Sequence, residues 1–116
     1  MLFRSLLAVG LSGAFALSCP ALAADSLPVP VLVLVIHGQQ FEPGELALPA
    51  GTKLKLVIRN QDPLPAEFES SDLSREVLVP ANGEVTIYVG PLEPGRYQFF
   101  NDFNRAMQGT VVAKGN

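Results

Sequence analysis

The sequence predicts an all-β protein, a sandwich or barrel of seven or eight short strands. Two observations carry this reading: apolar or alternating segments recur at short spacing between turns rich in the chain's 10 Gly and 10 Pro, and no segment after the leader has a convincing helical pattern.

The first element is the leader. Arg4 supplies a charged start, Leu6 to Leu17 an apolar stretch, and Ala21-Leu22-Ala23 a small-residue cleavage pattern, so residues 1–23 read as a secretory signal peptide. The apolar stretch is shorter than the roughly 20 residues of a spanning helix. Residues 24–116 are then one exported domain, expected in the periplasm with no membrane span. A lipoprotein cut before Cys19 is the competing reading, but Ala16 stands where a leucine is expected and the downstream site is preferred.

With Arg4 gone, the 8 basic residues fall by one against 11 acidic ones, and the net charge of −3 becomes −4. Such a balance points away from nucleic acid and anionic lipid. Cys19, the chain's one cysteine, leaves with the leader, so the domain has neither a disulfide nor a thiolate ligand.

After Pro28 and Pro30, Val31 to Ile36 is an unbroken, β-branched apolar run and reads as a buried strand. Glu42-Pro43-Gly44 marks a break, Glu45 to Leu48 a second strand, and Pro49-Ala50-Gly51-Thr52 a turn. Lys53 to Asn60 alternates Leu54, Leu56 and Ile58 with Lys53, Lys55 and Arg59, the pattern of a half-buried strand. Two prolines in residues 61–65 break pairing, so Ala66 to Ser70 reads as a short edge segment, followed by a single helical turn at Asp72 to Ser74. Arg75 to Val79 and Glu84 to Val89 are expected to form a hairpin around Asn82-Gly83. Arg96 to Phe100, a loop from Asn101 to Gln108, and a last strand from Gly109 to Ala113 complete the domain.

The segment Tyr97-Gln98-Phe99-Phe100-Asn101-Asp102-Phe103-Asn104-Arg105-Ala106-Met107-Gln108-Gly109 resembles the C-terminal ligand loop of plastocyanin-type cupredoxins. Asn101 stands where their cysteine would be, Asn104 where a histidine would be, and Met107 matches their methionine. Over roughly residues 33–114 the chain is also similar to the small cupredoxin-like proteins that resemble the N-terminal domain of the periplasmic iron-uptake protein EfeO. Phe41-Glu42-Pro43, Pro49-Ala50-Gly51, Glu67-Phe68-Glu69-Ser70, Val79-Pro80, Gly90-Pro91-Leu92, Pro94-Gly95 and Tyr97-Gln98-Phe99-Phe100 with Gly109 carry that similarity. The resemblance implies a Greek-key cupredoxin-like β-sandwich associated with iron or copper handling, with an iron permease or another periplasmic metal-transport protein as partner. In this family Gln39 and Asn104 occupy positions where histidines are common.

Type 1 copper requires a thiolate and two imidazoles with a weak axial thioether. Met107 alone is present, and no imidazole lies near Ala66 and Glu67, where the earlier histidine is expected, so blue-copper electron transfer is excluded on ligand count. Glu67 and Glu69, two apart on an extended segment, point to one side while Phe68 points to the other. Their carboxylates are the candidate metal ligands, with Asp102 and Met107 from the C-terminal loop as helpers that the family fold would place beside them, and Asp72 from the turn. Against this stands the plainer reading that both glutamates are a solvated strand face whose charge blocks edge pairing. His37, at the end of its strand, reads as structural, and Met107 equally as a core filler. One histidine and no thiol leave no Ser-His-Asp or Cys-His site and no G-x-S-x-G, so the chain is not expected to be an enzyme. The alternatives are a metal-free interaction module on the same sandwich and, less favoured for want of imidazoles, a copper-dependent redox enzyme.

Overall fold

The computed structural model describes residues 28–115, so the leader reading and Cys19 lie outside the described residues. Nine strands follow in order: β1 (Val31–His37), β2 (Gln40–Glu42), β3 (Glu45–Pro49), β4 (Leu54–Asn60), β5 (Ala66–Ser70), β6 (Arg75–Val79), β7 (Glu84–Val89), β8 (Gly95–Asn101) and β9 (Asn104–Lys114). They form a four-stranded sheet in the order β2-β1-β4-β7 and a five-stranded sheet in the order β3-β9-β8-β5-β6. Three hairpins, β1–β2, β5–β6 and β8–β9, alternate with passages between the sheets, which is Greek-key winding. Among the described residues no helix is long and apolar enough to cross a membrane.

Period-two alternation builds the core. Leu34 and Ile36 of β1, Leu54, Leu56 and Ile58 of β4, Phe68 of β5, Phe99 of β8 and Met107, Val111 and Ala113 of β9 all face the space between the sheets. Phe41, Phe68 and Phe99 meet there, with Phe41 edge-on to Phe99 at 4.9 Å and Phe68 tilted against Phe99 at 5.1 Å between ring centres.

One strand is added and four expectations are corrected. Gln40–Glu42 is a strand, because Gly38 and Gln39 both take positive φ (61° and 58°) and close a two-residue hairpin. β5 is no edge: it lies between β8 and β6, and the charges of Glu67 and Glu69 therefore do not guard an open strand. β6 and β7 do not pair. Asn82 has the expected positive φ of 53°, but its N–H donates to the Asp62 carbonyl and Asn60 N–H to the Gly83 carbonyl, so the turn carries the chain from one sheet to the other. Finally, the expected loop of residues 101–108 is a two-residue turn at Asp102 and Phe103, after which β9 begins. The expected helical turn after β5 is a hydrogen-bonded turn of residues 71–74, closed by Ser74 N–H to the Ser71 carbonyl, with no helix.

Candidate metal centre

At the end of β8 Asn101 is 2% exposed, and both its side-chain oxygen and its nitrogen are hydrogen-bonded. Its Oδ1 accepts the Glu67 N–H at 2.9 Å and the Phe103 N–H at 3.0 Å, and its Nδ2 donates to the Met107 sulfur at 3.4 Å. Asn104 Nδ2 donates to Gln39 Oε1 at 3.1 Å. Gln39 is held in turn by Asp62, whose carboxylate accepts from Gly38 N–H at 2.7 Å, from Gln39 N–H at 2.8 Å and from Gln39 Nε2 at 3.2 Å. These bonds hold the pKa of Asp62 below the ordinary carboxylate value, against the opposing effect of burial, and His37 nearby adds a smaller push in the same direction. The positions that the resemblance assigns to copper ligands thus hold amides that satisfy one another and the backbone, with neither thiolate nor imidazole among them. Asn104, Met107, Gln39, Gln40 and Gln108 also line an open cleft of about 360 Å³ that contains no ionisable side chain.

The carboxylates gather elsewhere, on the outer face of the five-stranded sheet. Glu67 and Glu69 project from β5 on the side opposite the fully buried Phe68. Glu76 of β6 lies directly across from Glu69 in the register. One oxygen from each of Glu67, Glu69 and Glu76 falls within 4.8 Å of the others. Desolvation, first, and then the neighbouring carboxylates push Glu67 and Glu69 above the ordinary value; Glu76 and Asp102 act on both. Asp102 therefore stands by this face, though its Oδ1 is also bonded to Arg105 Nε at 3.0 Å and to Arg105 Nη2 at 2.6 Å.

Of the five residues singled out in the sequence, Glu67, Glu69 and Asp102 share this face. Met107 does not. It is 3% exposed in the core, where its sulfur accepts from Asn101, because residue 107 lies within a strand and points between the sheets. Asp72 is likewise engaged elsewhere, accepting the Gln98 N–H at 2.9 Å. Glu76 escaped the sequence reading because β6 was paired with β7 there. Recognising residues 71–74 as the turn of a β5–β6 hairpin would have set Glu76 opposite Glu69. A set of three or four carboxylates with no nitrogen or sulfur suits hard cations, which take oxygen ligands.

Comparison with known proteins follows the same lines. The sequence matches the cupredoxin-like domain family over residues 6–113. It is 38% identical over 80 residues to an uncharacterized protein of Rickettsia prowazekii (strain Madrid E); the match covers 68% of this chain and 64% of that relative. Amicyanin from Paracoccus versutus shares the fold with a TM-score of 0.59 at 18% identity, over 79% of this chain and 89% of that one. Auracyanin A, a "blue" copper protein of Chloroflexus aurantiacus, does so at 0.64 and 15% identity, over 75% and 100%. The metal-binding domain of the Cu(I)-exporting P-type ATPase CopA of Streptococcus pneumoniae D39 does so at 0.66 and 16% identity, over 77% and 91%. The match to the family across nearly the whole sequence, on a sandwich of the same architecture, makes this chain a member of the cupredoxin-like domain family.

Proposed function

We propose that this is an exported, periplasmic cupredoxin-like protein that handles a transition-metal ion for uptake, and that it binds the ion at Glu67, Glu69 and Glu76 on the outer sheet face, with Asp102 as a further ligand. The observation that carries the reading is the convergence of three carboxylate oxygens within 4.8 Å from two adjacent strands. The raised proton affinity of Glu67 and Glu69 supports it in part: after desolvation, its cause is repulsion from neighbouring carboxylates, which a cation relieves as a proton does. The solved structure of the CopA domain holds Cu(I), a soft ion. An all-oxygen set favours a harder one, and among the metals implied by the family resemblance that is iron. Binding and delivery, with an iron permease or another periplasmic transport protein as recipient, is the role, and no turnover is assigned.

Titration calorimetry on chelator-stripped protein with anaerobic ferrous iron, manganese, calcium and copper tests this. Saturable binding of iron near one ion per chain, lost in the Glu67→Gln/Glu69→Gln variant, is expected. Absence of binding to every ion, or binding that the double substitution leaves unaltered, sinks the carboxylate site and leaves the sandwich as a metal-free interaction module.

A further inference from the structure

Strand β9 is 11 residues long, but β3 pairs only with its end, from Thr110 to Lys114. The β3–β9 ladder opens with the Thr110 N–H donating to the Gly44 carbonyl at 3.0 Å. Upstream of that bond no strand among the described residues pairs with β9 on the side away from β8. Backbone groups alternate sides along an antiparallel ladder, and Gln108 and Thr110 are two apart in the same register, opposite Phe100 and Gln98. The N–H and carbonyl of Gln108 therefore face the β3 side too, where β3 has not begun. There β2 stands across from β9, and the space between them is the cleft of about 360 Å³.

Just before Gln108 the strand steps out of the ladder. Asn101 lies opposite Asn104 and Phe100 opposite Gln108, so residues 105–107 bulge, and the small side chain of Ala106 is exposed on the cleft. The other wall is Gln39, Gln40 and Phe41, and Asn104 Nδ2 reaches across to Gln39 Oε1 at 3.1 Å. Gln39 is held by Asp62 and Asn104, and Gln108 Nε2 donates to the Arg105 carbonyl at 3.0 Å. Among the described residues that leaves the Gln40 carboxamide, Asn104 Oδ1 and Gln108 Oε1 without a protein partner, beside the open backbone groups of Gln108.

We propose that this cleft binds an extended, uncharged peptide segment of a protein partner by its main chain, laid beside β9 at Gln108 and ahead of β3. A carboxamide presents a donor and an acceptor side by side, as a peptide unit does. Gln40, Asn104 and Gln108 thus offer an incoming main chain the same kinds of bond as the open strand. A strand added beside an open one draws its affinity from such main-chain bonds. A charged side chain would lose water here and find no counter-charge, which selects for neutral residues. Few bonds are on offer, each of modest net worth, so the complex is weak. No carboxylate lines the cleft, so peptide binding there is independent of a metal at Glu67, Glu69 and Glu76.

Amide chemical shifts of the isotope-labelled protein, titrated to millimolar peptide, test this. The probe is a mixture of acetylated, amidated pentapeptides built from Gly, Ser, Thr, Val and Gln. Saturating shifts confined to residues 39–41 and 104–108 are expected, and the same peptides with N-methylated main chains are expected to produce none. Gln108→Pro removes the open N–H while sparing the bonds to β8, a place where a strand tolerates proline. It is expected to weaken binding about fivefold, the worth of one hydrogen bond. Ala106→Trp, at an exposed position, fills the cleft and is expected to abolish the shifts, with circular dichroism confirming that both variants fold. No shift with the uncharged mixture, shifts on another face, equal shifts with N-methylated peptides, or binding that both variants leave unchanged overturns the proposal.

Discussion

The side-chain amide of Asn101 donates to the sulfur of Met107 at 3.4 Å, in the core at the end of the β8–β9 hairpin. The same amide accepts the N–H groups of Glu67 and Phe103, so one residue ties β8 both to β5 and to its own turn. An Asn101→Ala substitution leaves those two donors without their acceptor. It is expected to cost about 1–3 kcal/mol in a urea or guanidinium unfolding experiment, whereas Met107→Leu, close to isosteric, costs less than about 1.5 kcal/mol. Equal stability of Asn101→Ala and the wild type would refute the bridging role. Added Cu(II) is expected to give no intense thiolate-to-copper absorption band, because no thiolate is present in residues 24–116.

Stability without metal follows two opposed carboxylate effects. Glu67 and Glu69 are raised above their ordinary value of 4.5 by desolvation and then by neighbouring charge. Their contribution is complete below 4.5 and is lost as pH rises through the raised folded values. Asp62 is lowered below its ordinary value of 3.8, so its contribution is present above 3.8 and is lost as pH falls through the lower folded value. The thermal midpoint in chelator is thus expected to rise on mild acidification from neutral pH and to fall again below about pH 3.8. Glu76→Gln flattens the first limb by removing one repelling charge. A midpoint that declines steadily from neutral pH downward would contradict this account.

Asp62→Asn isolates the second limb. The carboxylate anchors both N–H groups of the β1–β2 turn, where Gly38 and Gln39 hold positive φ. The uncharged amide keeps one acceptor and replaces the other with a donor that faces an N–H. A loss of about 1–3 kcal/mol at neutral pH is expected, with a shallower decline in acid, read from parallel denaturation curves of both proteins.

Gly109→Ala probes the aromatic core. A Cβ at residue 109 would lie 2.4 Å to 2.6 Å from three atoms of the Phe99 ring, and Phe99 is wedged between Phe41 and Phe68. The ring has to move, at a cost of about 1–3 kcal/mol or more. A wild-type midpoint for Gly109→Ala would show that the ring has room to retreat.

Periodicity in the chain determined the sandwich, eight of the strands and, where polar residues alternate with apolar ones, the inward face. Leu54, Leu56 and Ile58 alternate with charged residues, and Phe68 is flanked by two glutamates, so local sequence alone decided which side chains are buried. The lack of an imidazole and a thiolate at Ala66, Asn101 and Asn104 likewise ruled out blue copper from composition. Which strands pair was decided only in three dimensions, because pairing is a long-range property that turn residues constrain weakly. Asn82 adopts the expected positive φ, yet the backbone bonds of residues 60 and 62 draw the turn across to the other sheet. That single crossing sends β6 to β5, sets Glu76 opposite Glu69, and completes a carboxylate cluster that no local pattern announces. Met107 shows the converse: it was legible as a ligand type, but the bonded β8–β9 hairpin turns its sulfur into the core, since backbone pairing, once made, fixes the face on which every side chain lies.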